Sequence, residues 1–247
     1  MNELSPRAKA RWVGVFEILA STFTTTGQIT VMNKIVASGD AAATATNILN
    51  HEFLFRFGFA CCLFGAAFHM AWALLFYELY KPVSRTVALF GLLTMTIGCA
   101  ILALGGVFYI SPLLVLTAGP SLSALTLDQL HALAYAFVKL NAANNNANLV
   151  FFGLWCALSG YLIARSNFLP RILGWLLMLD GIGWMLFVVP PLGNYLFPVI
   201  AVFCGIAELP LPWFFIFGFN AQRWEEQTRA ILTSNSAQLA NLQSPNA

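Results

Sequence analysis

The sequence predicts an all-α integral membrane protein built as a bundle of six transmembrane helices. Of its 247 residues, 59% are hydrophobic and only 9% are charged, whereas soluble domains carry about 25% charged residues. The apolar residues fall into runs of about 20, the length that a helix needs to cross a hydrocarbon core of about 30 Å. The predicted spans cover residues 12–33, 53–79, 88–110, 143–164, 172–190 and 196–219.

The spans differ in how they begin and in what they carry. The first follows the basic segment RAKAR and has no small-residue cleavage site behind it, so we expect it to be retained and not removed as a signal peptide. A short basic loop joins the second and third spans, and the longest loop joins the third and fourth. The fifth carries Asp180. The sixth carries Pro210 and Pro212, whose missing N–H groups and bulky rings predict a bend beside Glu208.

No soluble domain is predicted beside the spans, which places residues 1–226 in one transmembrane domain. After the sixth span the chain opens as a short amphipathic helix, with Trp224 placed to anchor at the membrane interface. Residues 227–247 are polar and predict a disordered tail. The function is therefore expected to reside in or beside the membrane.

Basic residues predict the orientation of the spans. Lys and Arg accumulate in cytoplasmic loops because they cross membranes poorly. With the N-terminus inside, most of the 12 fall on the cytoplasmic side. These are Arg7, Lys9, Arg11, Lys81, Arg85, Arg165, Arg171, Arg223 and Arg229. The sequence thus predicts a multi-pass protein of the cytoplasmic (inner) membrane with both termini in the cytoplasm. Its net charge of +2 gives no sign of a nucleic-acid-binding face, and membrane lipids are the expected partners.

Small residues predict close packing between the spans. Glycines recur every seven residues, close to two helical turns, so each set forms a stripe on one helix face. The sets are Gly58 and Gly65; Gly91, Gly98 and Gly105; Gly153 and Gly160; and Gly174 and Gly181. Packing within the bundle is the favoured interpretation, and a homo-oligomer is the alternative. All five cysteines lie within spans and are interpreted as small core residues.

Three stretches carry a resemblance to a known family. They are FRFGFACCLFGAAFHMAWALLFYELYKPVSRTVALF, LVFFGLWCALSGYLIARSNFLPRILGWLLMLDGIGWMLF and IAELPLPWFFIFGFNAQRWEEQ. In order and spacing they resemble the bacterial membrane family catalogued as domain of unknown function 4386, over roughly Arg11 to Glu226. The second proline, Pro212, and the asparagine-rich NAANNNAN depart from that pattern. The resemblance implies a six-helix inner-membrane protein and supplies no activity, substrate or catalytic residue.

Ionisable residues near the middle of three spans form the candidate polar site. Asp180 and Glu208 lie near the centres of their spans, and His69 lies within about one turn of the centre of the second. Glu17 lies about 9 Å to the cytoplasmic side of its span's midpoint. Such groups usually face the bundle interior and mark ligand or proton pathways. The alternative is that they are interhelical hydrogen bonds that hold the bundle together.

A second polar group is predicted on the outer side. Arg56, one turn after Glu52, is expected to form an interfacial ion pair. Asparagines at helical spacing enter the fourth span, namely Asn141, Asn144, Asn145 and Asn148. A water-exposed helix start is the favoured interpretation of this face, and a vestibule for a sugar or a lipid headgroup is the alternative.

Catalytic signatures are absent from the sequence. There is no G-x-S-x-G elbow, HExxH zinc pair, Walker loop or haem-ligating histidine pair, and the histidines fall at different depths, so neither a metal nor a cofactor is expected. The leading hypothesis is a midplane site for an unidentified small molecule or for proton-coupled transport. A structural or regulatory protein acting through helix contacts is the alternative, and an intramembrane enzyme comes third.

Overall fold

The computed structural model describes residues 4–243, and every regular element in that range is helical. The α-helices are α1 Pro6–Thr25, α2 Met32–Ile35, α3 Ala41–Asn50, α4 Glu52–Tyr80, α5 Arg85–Leu116, α6 Leu127–Arg165, α7 Arg171–Met185, α8 Pro190–Ala207, α9 Leu211–Trp213 and α10 Ala221–Gln243. Two π-helical segments, Thr26–Val31 and Phe214–Gly218, and two 3-10 turns, Gly119–Leu122 and Leu186–Val188, complete them. The predicted all-α class is confirmed.

Five helical runs are long and apolar enough to cross a membrane. They are Glu52–Tyr80, Arg85–Leu116, Leu127–Arg165, Arg171–Val188 and Pro190–Gly218. These runs contain most or all of the second to sixth predicted spans, which supports a multi-pass membrane protein. The first predicted span lies in a helical stretch from Pro6 to Ile35 but is not among the five apolar runs. It carries Glu17 and six Ser and Thr residues, which lower its hydropathy. The sixth crossing stays a prediction.

Helix α6 begins much earlier than the sequence suggested. A span was predicted from residue 143, but the helix starts at Leu127. Its start is a capping box, in which Thr126 Oγ1 accepts from the Gln129 backbone N–H at 3.3 Å and Gln129 Oε1 accepts from the Thr126 N–H at 2.9 Å. The long loop expected before the fourth span is therefore largely helix, and the asparagine-rich segment lies inside α6.

The chain after the last span also differs from the prediction. A disordered tail was expected from residue 227, whereas α10 continues to Gln243; residues 244–247 lie outside the described residues. An ion pair of 3.4 Å between Glu225 and Arg229, one turn apart, supports this helix. The indole Nε1 of Trp224 donates to the Leu79 carbonyl at 2.7 Å and fixes the start of α10 to the end of α4.

The glycine stripes lie between packed helices. Helix α6 packs against α5 on one side and α7 on the other, and α4 packs between α1 and α5. A Cβ atom on Gly160 would lie 2.5 Å from the carbonyl oxygen of Gly174, and one on Gly153 would lie 2.5 Å from that of Gly181. Two of the predicted stripes therefore face each other and let α6 and α7 meet backbone to backbone.

The last span is interrupted, and its first part, α8, is loosely packed. Helix α8 ends at Ala207, a turn follows over residues 208–210, and α9 leads into the π-helical segment Phe214–Gly218. Pro210 and Pro212 cannot donate a backbone N–H, which accounts for the interruption beside Glu208. In α8, buried residues are confined to Gly193, Ile200 and Ala207.

Candidate functional site

Asp180 and Glu208 meet at a tryptophan inside the bundle. The indole Nε1 of Trp184 donates to Oδ2 of Asp180 at 3.1 Å and to Oε1 of Glu208 at 2.9 Å. Asp180 and Trp184 are one turn apart on α7 and share a helix face, whereas Glu208 comes from the end of α8. Asp180 is fully buried, and Glu208 is half-buried. One N–H group thus holds two carboxyl groups from different helices.

The two acids also lie close together. Carboxyl oxygens of Asp180 and Glu208 lie within 4.8 Å of each other, and Oδ1 of Asp180 has no hydrogen-bond partner among the described residues. Because an ionised carboxylate can only accept, a hydrogen bond between two carboxyl groups requires a proton on one of them. The ion pairs found in the described part of the chain involve other acids. No described Lys or Arg therefore forms an ion pair with either acid.

Glu17 and Cys156 extend this cluster from two further helices. Glu17 of α1 is 4% exposed and has an electrostatic interaction with Glu208. Its Oε2 atom has no hydrogen-bond partner among the described residues. The Sγ atom of Cys156 on α6 lies within 4.8 Å of carboxylate oxygens of Asp180 and Glu208. A thiol and two carboxyl groups at this spacing could also accept a divalent ion, so metal content is a necessary control in any test of the site.

The interruption in the last span brings Glu208 towards α1. A Cβ atom on Gly14 would lie 2.7 Å from the Pro212 carbonyl oxygen, so α1 makes its close approach beside the two prolines. Glu17 follows Gly14 by about one turn on the same face. Of the predicted polar site, Glu17 lies on α1, Asp180 on α7 and Glu208 directly after α8. That these acids form a functional site stays a prediction.

His69 lies apart from the acids. Its Nδ1 is 2.9 Å from the carbonyl oxygen of Gly65 in the same helix, and its ring packs against Trp72 and, edge-on, against Phe152. Phe152 in turn contacts Trp184 edge-on. An aromatic ring therefore links the histidine to the tryptophan, and His69 is a neighbour of the acid cluster and not one of its hydrogen-bonding members.

The asparagines of α6 lie against other helices and not at a water-exposed helix start. Asn141 is 3% exposed and donates from Nδ2 to Oε1 of Gln28 at 3.1 Å. Asn144 donates from Nδ2 to the Ile101 carbonyl at 2.9 Å. The predicted glycine stripe of α5 provides the space, since a Cβ atom on Gly98 would lie 3.1 Å from Oδ1 of Asn148. Asn145 and Asn148 are half-buried.

Arg56 forms the predicted pair with Glu52. The distance from Nε to Oε1 is 2.8 Å, and both side chains are exposed. This pair lies at the N-terminal end of α4, and no hydrogen bond of the described residues joins it to the asparagines of α6.

Sequence reasoning missed three polar residues of these clusters, Trp184, Cys156 and Gln28. The role of Trp184 could have been predicted from its spacing, because an indole one turn after a buried acid is placed to donate a hydrogen bond to it. Cys156 was interpreted as a core residue, and nothing in its local sequence distinguishes it from the other cysteines. Gln28 lies in the π-helical segment Thr26–Val31, where regular helical spacing does not predict which way a side chain points.

Comparison with known proteins identifies a family but no characterised relative. Neither the curated proteins nor the solved structures gave a match. A family model matches residues 13–219, which include all of the helices that supply the acid cluster except the first residues of α1. The chain therefore belongs to the family described as Domain of unknown function (DUF4386).

Proposed function

We propose that this chain is a transport protein located in the inner membrane, with six spans and both termini in the cytoplasm. Its Asp180–Glu208 pair binds and releases a proton as the last span moves. The observation that carries the proposal is the single indole N–H of Trp184, which is shared by two carboxyl groups whose oxygens lie within 4.8 Å of each other. The asymmetry of Lys and Arg supports the orientation.

Electrostatic repulsion between two ionised carboxylates is the reason that we expect the Asp180–Glu208 pair to hold a proton. Two unit charges about 4 Å apart repel each other by about 4 kcal/mol at an effective dielectric constant of about 20, whereas a hydrogen bond contributes only about 1 kcal/mol. Glu17 adds a third acid, and the other groups facing the pair are the thiols of Cys156 and Cys204, which carry no positive charge. A shared proton allows the pair to form, and its loss drives the two acids apart.

The packing decides which acid moves. Asp180 lies on α7, which is joined to α6 through glycines. Glu208 directly follows α8 as its C-terminal cap and begins the interruption, and α8 itself has few buried residues. Loss of the proton is therefore expected to displace α8 and to leave α6 and α7 in place, opening the site to a solute whose identity is unknown.

Carbodiimide labelling tests whether the Asp180–Glu208 pair holds a proton. Dicyclohexylcarbodiimide partitions into apolar phases and reacts with protonated carboxyl groups. We expect it to modify one acid of the pair, detected in the corresponding peptides by mass spectrometry, with a summed yield that falls as the pH is raised. Glu225, which is exposed on α10, is the matched control and should stay unmodified. A summed yield at the pair that is zero, or that does not change with pH, would contradict the proposal.

Proton flux tests the transport step. Proteoliposomes containing a pH-sensitive dye are exposed to a pH gradient, and Glu208→Gln should abolish the protein-dependent flux while Glu225→Gln retains it. Equal flux through both variants would leave Glu208 as a structural hydrogen-bonding group, the alternative interpretation of these acids. Stoichiometric zinc in purified protein, lost in Cys156→Ser, would assign the cluster to a metal and overturn the proton proposal.

A further inference from the structure

A pocket with a polar floor lies at the end of the bundle where α4 and α5 are joined. Its volume is about 320 Å³, and it is lined by Lys9, Glu78, Lys81, Pro82, Trp224, Thr228, Ile231 and Leu232. Glu52–Tyr80 and Arg85–Leu116 both qualify as membrane spans, so the short connection between them lies at the level of the membrane surface. The pocket is separate from the acid cluster, and none of its residues belongs to the site described above.

Two ammonium groups meet one carboxylate on the floor of this pocket. Lys81 Nζ contacts both oxygens of Glu78 at 2.9 Å, whereas Lys9 Nζ lies 3.4 Å from Oε2. The carboxylate is thus held mainly by Lys81. The Lys9 side chain is only 16% exposed, and its ammonium group has three donors. A largely enclosed cation with one long hydrogen bond has the capacity to bind a second anion.

The wall of the pocket is apolar. Pro82 comes from the loop, and the ring of Trp224 and the side chain of Ile231 come from α10. The indole N–H of Trp224 donates to the Leu79 carbonyl at 2.7 Å, which fixes this wall against the end of α4. A soluble anion would contact only the charged groups of the pocket, whereas an amphiphile would also contact its apolar side chains.

We propose that this pocket binds an acidic glycerophospholipid, with the phosphodiester accepting hydrogen bonds from Lys9 and Lys81 and the glycerol and acyl carbons lying against Pro82 and Ile231. Two ammonium groups and one carboxylate leave a single positive charge, which complements the single negative charge of a phosphodiester. Head groups that carry hydroxyls gain a further partner, because Glu78 can accept from them.

Native mass spectrometry of the full chain, released from detergent after removal of bound lipid, tests this assignment. Phosphatidylglycerol is added in one arm and phosphatidylcholine in another, and glycerol 3-phosphate is added as the soluble form of the same phosphate chemistry. We expect Lys9→Gln to lower phosphatidylglycerol binding about tenfold, as for the loss of a charge-assisted hydrogen bond. Arg11→Gln, which removes an exposed charge from the same helix, should leave binding within about twofold.

Each outcome decides the proposal. Equal losses in the Lys9 and Arg11 variants would show non-specific attraction to surface charge and overturn it. Tight binding of glycerol 3-phosphate that persists in Ile231→Gln would assign the pocket to a soluble phosphate ester, and equal binding of phosphatidylcholine would overturn the selectivity for acidic lipid. If Lys9→Gln cannot be purified, Thr228→Leu fills the pocket from α10 without a change in charge and should cause the same loss.

Discussion

Helices α6 and α7 meet backbone to backbone, whereas α8 rests on the bundle through a few side chains. Where Gly153 faces Gly181 and Gly160 faces Gly174, the α6–α7 contact leaves no room for a Cβ atom. By contrast, Tyr195, Val202 and Leu209 of the last span are exposed on the surface of the bundle. Asp180 belongs to the first region and Glu208 to the second. The difference teaches that the Asp180–Glu208 pair joins a tightly packed part of the molecule to a loosely packed one.

The largest effect is expected from a substitution in the tightly packed α6–α7 contact. Gly160→Val places atoms within 2.5 Å of the Gly174 carbonyl oxygen, and overpacking of this kind costs about 3 kcal/mol. Gly205→Ala in α8 is the matched control: a Cβ there meets nothing within 4 Å, so a gain of about 0.5 kcal/mol in stability is expected from helix propensity. Unfolding in mixed detergent micelles measures both. Equal losses would show that α8 is packed as tightly as α6.

The next effect concerns the link between the two regions. Trp184→Phe keeps the ring and removes the N–H that both acids share, which leaves buried acceptors without a donor and costs about 2 kcal/mol. Trp213→Phe, at a position 63% exposed on the last span, should change stability by less than about 0.5 kcal/mol. The same unfolding assay compares them, and a neutral Trp184→Phe would mean that the indole does not hold the acids together.

A smaller effect is expected in the hydrogen exchange of α8, which reports local movement of this helix and not global unfolding. With increasing pH, hydrogen exchange of the α8 amides, corrected for intrinsic rates, should rise about fivefold relative to α6, equivalent to about 1 kcal/mol. The sign follows from the charge: loss of the shared proton leaves two carboxylates that repel each other. Glu208→Gln removes one of them and should abolish the rise while leaving the unfolding midpoint nearly unchanged. A rise that persists in this variant would require another titrating group.

The smallest effect is expected at the N-terminal end of α4. Glu52→Gln breaks an ion pair whose partners are both about half exposed, and such surface pairs contribute about 0.5 kcal/mol or less. The thermal midpoint and the exchange of α8 should both stay within error of the unmodified protein. A clear change in α8 would show that this pair communicates with the acid cluster.

The sequence predicted the helices better than their mutual contacts. Apolar runs marked the span ends within a few residues for α4 and α7, because membrane thickness sets run length. The start of α6 was missed because polar residues such as His131 and Lys139 interrupt the apolar residues of its first turns, whereas a capping box fixes where the helix begins. Depth along a helix can be counted from the sequence, which is why Asp180 and Glu208 were selected together. Rotation about the helix axis depends on packing, which separates His69 from the acids.

The segment Thr26–Val31 lies between α1 and α2 and contains about one residue more per turn than a regular α-helix. Removing a single residue from it would restore the ordinary repeat without turning the helix faces on the two sides away from their neighbours. The segment Phe214–Gly218 differs, because the chain becomes extended at Phe219 and the helix ends there. We therefore expect family members to differ in length at Thr26–Val31, where a one-residue gap would mark a relative without the extra residue.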